Sequence, residues 1–247
     1  MEYPRMIRAA RWILFFILGA GFLYLLCLLF PQPFFSHSLR RENIIIYTRD
    51  IPPPGTTPLL DSVAALLRRS PLNDTSVTHR VFLCHNQAQF GFFTRGRANL
   101  GGLCDDRLTR NIFIHPADLA TGRMIAPPGW PYRGDDRPLS YFIAHEITHS
   151  LESRFVGRWN VRVPAWLWEG YADYIGMNAP LDGYLQRYRE GSPFMNPAHG
   201  LYDRYALYVA YLLDYEHRDI REVLGKPPAV DSVEGAVRRL AWGQGGL

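Results

Sequence analysis

Lysine is nearly missing from this chain of 247 residues: Lys226 is the only one, and arginine carries almost all of the basic charge behind a formal net charge of +4. Three of those arginines, Arg5, Arg8 and Arg11, crowd the first eleven residues. No basic stripe or RNA-binding motif follows, so nucleic acid is not an expected partner. Cysteine is almost as scarce, with Cys27, Cys84 and Cys104 the three present. None has zinc-finger spacing, which argues against a closed, cysteine-rich structural zinc site. Internal repeats are lacking too. With 47% hydrophobic and 14% aromatic residues, the chain can bury a core and is not of the disordered class.

What it does have, first, is one long apolar run. Residues 12–30 contain no charge, and at ~1.5 Å per residue they match a hydrocarbon core of ~30 Å. The preceding arginines predict a cytoplasmic tail over residues 1–11 and place everything after Pro31 outside the cytoplasm, in the periplasm of a Gram-negative cell. A cleaved signal peptide competes with an uncleaved signal anchor. The anchor is favoured, because Pro31-Gln32-Pro33-Phe34-Phe35 stands where a small-residue cleavage site would be needed. Cys27 lacks the small residue before it that a lipoprotein signal shows. Outside the membrane, Cys84 and Cys104 could form a bridge contributing roughly 3 kcal/mol, or stand as two buried thiols; spacing does not decide.

Beyond the span, residues 31–41 read as a linker and residues 42–247 as one domain. Asn43-Ile-Ile-Ile-Tyr-Thr48, Arg80-Val-Phe-Leu-Cys84 and Asn111-Ile-Phe-Ile-His115 read as strands, with residues 89–94 as a further candidate. Residues 58–69, with Leu59, Leu60, Val63, Leu66 and Leu67 on one side, predict an amphipathic helix, and residues 233–240 a closing one. Two irregular stretches, residues 121–137 and 178–200, could wall a cleft. The pattern predicts an α+β fold: a small, mainly antiparallel sheet packed on the helix described next, then a helical C-terminal half.

That helix carries His145-Glu146-Ile147-Thr148-His149. Its two imidazoles fall at i and i+4 on one face, the geometry that grips a single Zn²⁺, with Glu146 beside the metal. A catalytic zinc keeps three protein ligands and an open position, and Glu169 is the candidate third ligand. Pro164 announces the helix that bears it, and Gly176 is placed to end it. Asp173, at i+4 from Glu169, can accept the free N–H of a ligating histidine. Charged Glu152, Arg154 and Arg158 follow closely, which argues against an intramembrane protease.

Over about residues 111–213 these features resemble the gluzincins, the thermolysin-like and aminopeptidase-like zinc peptidases. The string Trp166-Leu-Trp-Glu-Gly-Tyr-Ala-Asp-Tyr174 is similar to the W-x-x-E-G-x-A-x-Y signature of small families in that group. The resemblance implies His145, His149 and Glu169 as zinc ligands, Glu146 as general base and Asp173 as the carboxylate orienting the first histidine. It implies an edge strand near residues 111–115 pairing with a peptide or protein substrate, where His115 could face the cleft. Among His199, Tyr202, Tyr205, Tyr208 and Tyr211, it points to Tyr205 as the oxyanion-stabilising residue. The expected activity is that of a membrane-anchored, extracytoplasmic zinc peptidase. The rival is an inactive descendant acting as a tethered binding or assembly factor.

Overall fold

The computed structural model describes residues 3–125, 137–157, 163–192, 195 and 202–243, with side chains from Ala10 onward. The prolines of residues 127–131, and His199, lie outside the described residues. Helix α1, Tyr3–Leu29, contains an apolar stretch, Ala10–Leu29, long enough to cross a membrane or to act as a signal sequence. Its last turns are not isolated: Leu28 is buried, and Tyr24 Oη donates to the Phe92 carbonyl at 2.7 Å.

The expected linker is partly structured. A 3₁₀ turn, Gln32–Phe34, leads into strand β1, His37–Arg41. Glu42, at φ 50°, turns the chain into β2, Ile44–Thr48, which runs antiparallel to β1. Helix α2, Thr56–Leu67, then crosses to β3, His79–Leu83. Residues 87–93 depart from expectation, forming helix α3, Gln87–Phe93, instead of a strand. The cause is local: the Asn86 side chain caps it by accepting from Gln89 N at 2.8 Å, while the Gln89 side chain accepts from His85 N at 2.7 Å. Reciprocal bonds of this kind satisfy amides that a helix start leaves open.

Strands β4, Gly102–Cys104, and β5, Ile112–Ile114, complete a five-stranded sheet of order β1-β2-β3-β5-β4. The β2–β3 and β3–β5 pairs are parallel, and only the two outer pairs are antiparallel, so the sheet is mixed, not mainly antiparallel. The β2-α2-β3 crossover imposes the parallel sense. A two-stranded ribbon follows, β6 at Ala117–Asp118 and β7 at Arg123–Met124.

The sheet separates two cores. Ile44, Ile46, Val81, Leu83, Cys104, Ile112 and Ile114 join one large cluster with residues of α2 and of the helices that follow. Phe82, Cys84 and Phe113 alternate onto the other side, into an aromatic cluster with Leu28, Phe35, Phe90 and Phe93. Side chains along a strand point to opposite faces in turn. Cys84 and Cys104 therefore fall in different clusters, both thiols are free, and the bridge left open by the spacing is not formed.

Among the described residues the α-helices that follow are α4, Leu139–Val156; α5, Ala165–Met177; α6, Leu181–Arg189; α7, Asp203–Ala210, continued by a π-helical turn, Tyr211–Tyr215; α8, Ile220–Gly225; and α9, Val230–Trp242. Helix α6 occupies part of the stretch expected to be irregular. Gly176 does not end α5: Asn178 does, in the left-handed conformation, and Gly176 instead admits Tyr141, whose ring carbon would lie 2.8 Å from a Cβ there.

Candidate metal centre

Helix α4 begins after Pro138, runs without glycine or proline, and stops at Gly157, which has φ 88°. Its i, i+4 spacing brings the His145 and His149 Nε2 atoms to 3.1 Å from each other. Helix α5, starting after Pro164, brings Glu169 Oε2 to 3.4 Å from His145 Nε2 and 3.5 Å from His149 Nε2. These three donors form a nearly equilateral triangle that could hold a metal ion. Gly170, next to Glu169, is what lets α7 approach α5: a Cβ there would lie 2.6 Å from the Tyr205 carbonyl oxygen.

The Nδ1 atoms of both histidines are occupied by carboxylates. His145 Nδ1 lies 2.8 Å from Asp173 Oδ1, and His149 Nδ1 lies 2.9 Å from Glu152 Oε2. Each carboxylate fixes the ring so that Nε2 faces the shared point, the outer-shell arrangement that metal-binding histidines use. Glu152 is fully buried, and from the sequence it is read only as a charge after the motif, not as the partner of His149. Its i+3 spacing from His149 was the available signal. Asp173 is also fully buried and accepts hydrogen bonds from Tyr141 Oη and, at 3.4 Å, from Arg137, which in turn contacts Asp203. Trp168 stacks on the His149 ring, with centroids 5.5 Å apart.

Burial and charge set the protonation of the group. Burial alone would lower His145, but the Asp173 and Glu169 carboxylates outweigh it and raise its pKa to about 9. Glu169, against the same burial, is held well below the usual carboxylate range by the two imidazoles. Burial lifts Glu152 to about 7, opposed by His149. Glu146 is pushed up by burial, with both histidines opposing.

Glu146 is tied to the sheet. Its Oε2 accepts the Cys104 backbone N–H at 2.7 Å, and its side chain lies over Gly102, where a Cβ would come within 2.6 Å of Cγ. Strand β4 is the sheet edge, whereas residues 112–114, expected to contain the edge, are internal between β3 and β4. In the β4–β5 register Leu103 faces Phe113, so the backbone groups of Gly102 and Cys104 point outward from the sheet, toward Glu146. His115 is buried and packs edge-on against Phe90 at 5.2 Å, in the aromatic layer.

Tyr141 lies nearest His145, with ring centroids 5.7 Å apart, and bonds Asp173. Among the candidate tyrosines of residues 202–211, the one stacked on His145 is not the one expected. Tyr202 stacks over His145 with centroids 6.5 Å apart, and Tyr205 stacks behind Tyr202 at 5.9 Å. Burial, reinforced by the Glu169 charge, raises the Tyr202 phenol to about 12. Tyr202 precedes the first residue of α7, whereas Tyr205, to which the resemblance points, lies within that helix.

Compared with protein-family models, with curated proteins and with solved structures, the chain finds no match in any of the three.

Proposed function

We propose that this protein is a membrane-anchored zinc peptidase whose catalytic domain lies outside the cytoplasm. The observation that carries the reading is the donor triangle, with sides of 3.1, 3.4 and 3.5 Å, beside a buried glutamate bonded to a strand edge. Tetrahedral zinc with bonds of about 2.0–2.1 Å separates its donors by about 3.3 Å, so two imidazoles and one carboxylate at this spacing suit it. His145, His149 and Glu169 would hold the ion, which when bound acidifies water and polarises a carbonyl.

The chain's own residues do the rest. Asp173 and Glu152 keep the two imidazoles in the tautomer that leaves Nε2 free as a ligand atom. Glu146 is the general base: burial raises its affinity for a proton, and the Cys104 N–H fixes its carboxylate, so it can take a proton from water and deliver it to a leaving amine. With the Cys104 N–H taken by Glu146, the Gly102 amide and the outward carbonyls of β4 are the groups that suit pairing with an extended peptide, and that role passes to β4 from the strand at residues 112–114. Tyr202, a neutral phenol at physiological pH beside His145, is the candidate donor to a developing oxyanion, in place of Tyr205. Arg5, Arg8 and Arg11, in the first turns of α1, support a cytoplasmic N-terminus.

The test is digestion of an unbiased peptide mixture by the zinc-loaded full chain in detergent micelles, beside Glu146→Gln. Cutting by the wild type alone is expected. Absence of cutting by either protein, with stoichiometric zinc bound, would replace the enzymatic reading with that of a tethered binding protein.

A further inference from the structure

The end of α1 is built into the domain. Tyr24 packs edge-on against Phe92 with centroids 5.0 Å apart and hydrogen-bonds the Phe92 carbonyl, and Asn111 Nδ2 donates to the Leu28 carbonyl at 3.1 Å. Leu28 and Phe35 belong to the same buried cluster as Phe82, Phe93 and Phe113. Around this junction large aromatic side chains stay exposed: Phe30 at 60%, Phe34 at 45% and Phe92 at 41%. Phe34 and Phe92 touch, with centroids 6.2 Å apart.

The depth of this collar follows from helix geometry. The apolar stretch ends at Leu29, so Tyr24 sits five residues, or about 7.5 Å, inside it. Phe92 is held at the level of Tyr24 by the hydrogen bond. The headgroup layer on each side of a ~30 Å hydrocarbon core is about 5–7 Å deep. Helix α3 must therefore lie within the boundary layer of any bilayer that α1 crosses. Sliding α1 outward does not free it, because the apolar stretch begins at Ala10 and Arg11 follows, with Arg8 and Arg5 ahead of it in the chain. Clearing α3 from the boundary would draw those charges into hydrocarbon and leave a span too short for the core.

We propose that this collar, Phe30, Phe34 and Phe92 around Tyr24, is a lipid-binding surface that seats the domain on the membrane as one body with α1. The occupant is the headgroup and upper acyl layer of the bilayer: acyl chains cover the apolar phenylalanine rings, and Tyr24, with a polar tip on an apolar ring, suits the boundary itself. Exposed Arg97, just after α3, is of the charge that meets lipid phosphates, while neighbouring Arg95 is paired with Asp105 at 3.0 Å. The surface lies across the sheet from the metal centre, since α4 and α5 contribute to the other core. The inference rests on α1 being a span, and not on peptidase activity.

The test uses the full chain in lipid nanodiscs containing phosphatidylcholine and phosphatidylglycerol. The photoreactive residue p-benzoylphenylalanine replaces, one at a time, Phe34, Phe92, Phe22 in the middle of α1, and Trp242 on α9. After irradiation, mass spectrometry reads lipid adducts. Adducts at 34 and 92 comparable to those at 22, with Trp242 at background, are expected. Adducts at 22 but background at 34 and 92 would overturn the docking while leaving the span intact. Background at 22 as well would remove the span and the docking together. Crosslinks at 34 or 92 to a second copy of the chain in place of lipid would assign the surface to self-association and overturn the proposal.

Discussion

Replacing Gly102 by alanine tests how closely Glu146, the proposed general base, is held. The added Cβ would lie 2.6 Å from Glu146 Cγ, 2.9 Å from Cδ and 2.8 Å from Oε1, and these are its three nearest neighbours. Ordinary carbon contacts begin near about 3.4 Å, so roughly 0.8 Å of movement is required. Strand β4 is paired to β5 on its other side, which leaves Glu146 as the group that yields, and its bond to Cys104 N–H breaks. A misplacement near 1 Å costs on the order of 10²-fold in rate, or about 2.7 kcal/mol of barrier. None of the three metal donors is among the displaced atoms, so zinc affinity should stay at the wild-type value. The assay pairs kcat/KM on a peptide cut by the wild type with zinc affinity from competition against a chromophoric chelator. Full activity in Gly102→Ala would refute the reasoning, and so would a loss of activity that tracks a loss of zinc.

Four other outcomes follow from the geometry. Zinc at a hundred times its Kd should stabilise the full chain by about 2.7 kcal/mol, visible as a higher Tm that His149→Ala abolishes; a zinc-dependent shift surviving in that variant would exclude the site. Glu152→Gln should weaken zinc binding about 10-fold, and unchanged affinity would deny Glu152 its hold on His149. Gly170→Ala should cost about 1–3 kcal/mol, because its Cβ would meet the α7 backbone at the Tyr205 carbonyl and no side chain can swing away; an unaltered Tm would contradict that crossing. His79 is buried, and burial first, then Arg154, lower its pKa from 6.5 to about 4, with Asp74 opposing. The unfolded chain then binds the extra proton between those values, so the stability is present above about pH 6.5 and up to about 3 kcal/mol is lost as pH falls to about 4. His79→Leu should flatten that slope in urea titrations, and an identical slope in both proteins would refute it.

Residues that act through spacing along one element were legible in the chain, and those that act through neighbours in space were not. His145, His149, Glu169 and Asp173 are read at i and i+4 on two helices, and the helices are marked by Pro138, Pro164 and apolar periodicity. Strands β2, β3 and β5 announce themselves as short runs of branched and aromatic residues. In contrast, Gly102-Leu103-Cys104 is too short and too ordinary to mark a strand, yet its backbone carries the contact to Glu146. Phe90-Gly-Phe-Phe93 has strand-forming composition, and the cap at Asn86 overrides it. His37-Ser-Leu-Arg-Arg41 has one apolar residue because β1 is an exposed edge, so its pairing with β2 left no pattern to read. The same limit applies to Tyr202, placed by the entry into α7 and not by helical period.

The seam between α1 and the aromatic core has a consequence for the life of the molecule. Leu28 and the ring of Tyr24 close a layer that also contains Phe82, Phe90, Phe93 and Phe113. A protease cutting just beyond Leu29 would release not a finished domain but a body with that layer opened to water. The domain completes its interior only when the last turns of its first helix are packed in place. Severing α1 from the domain would therefore remove part of the domain's own interior.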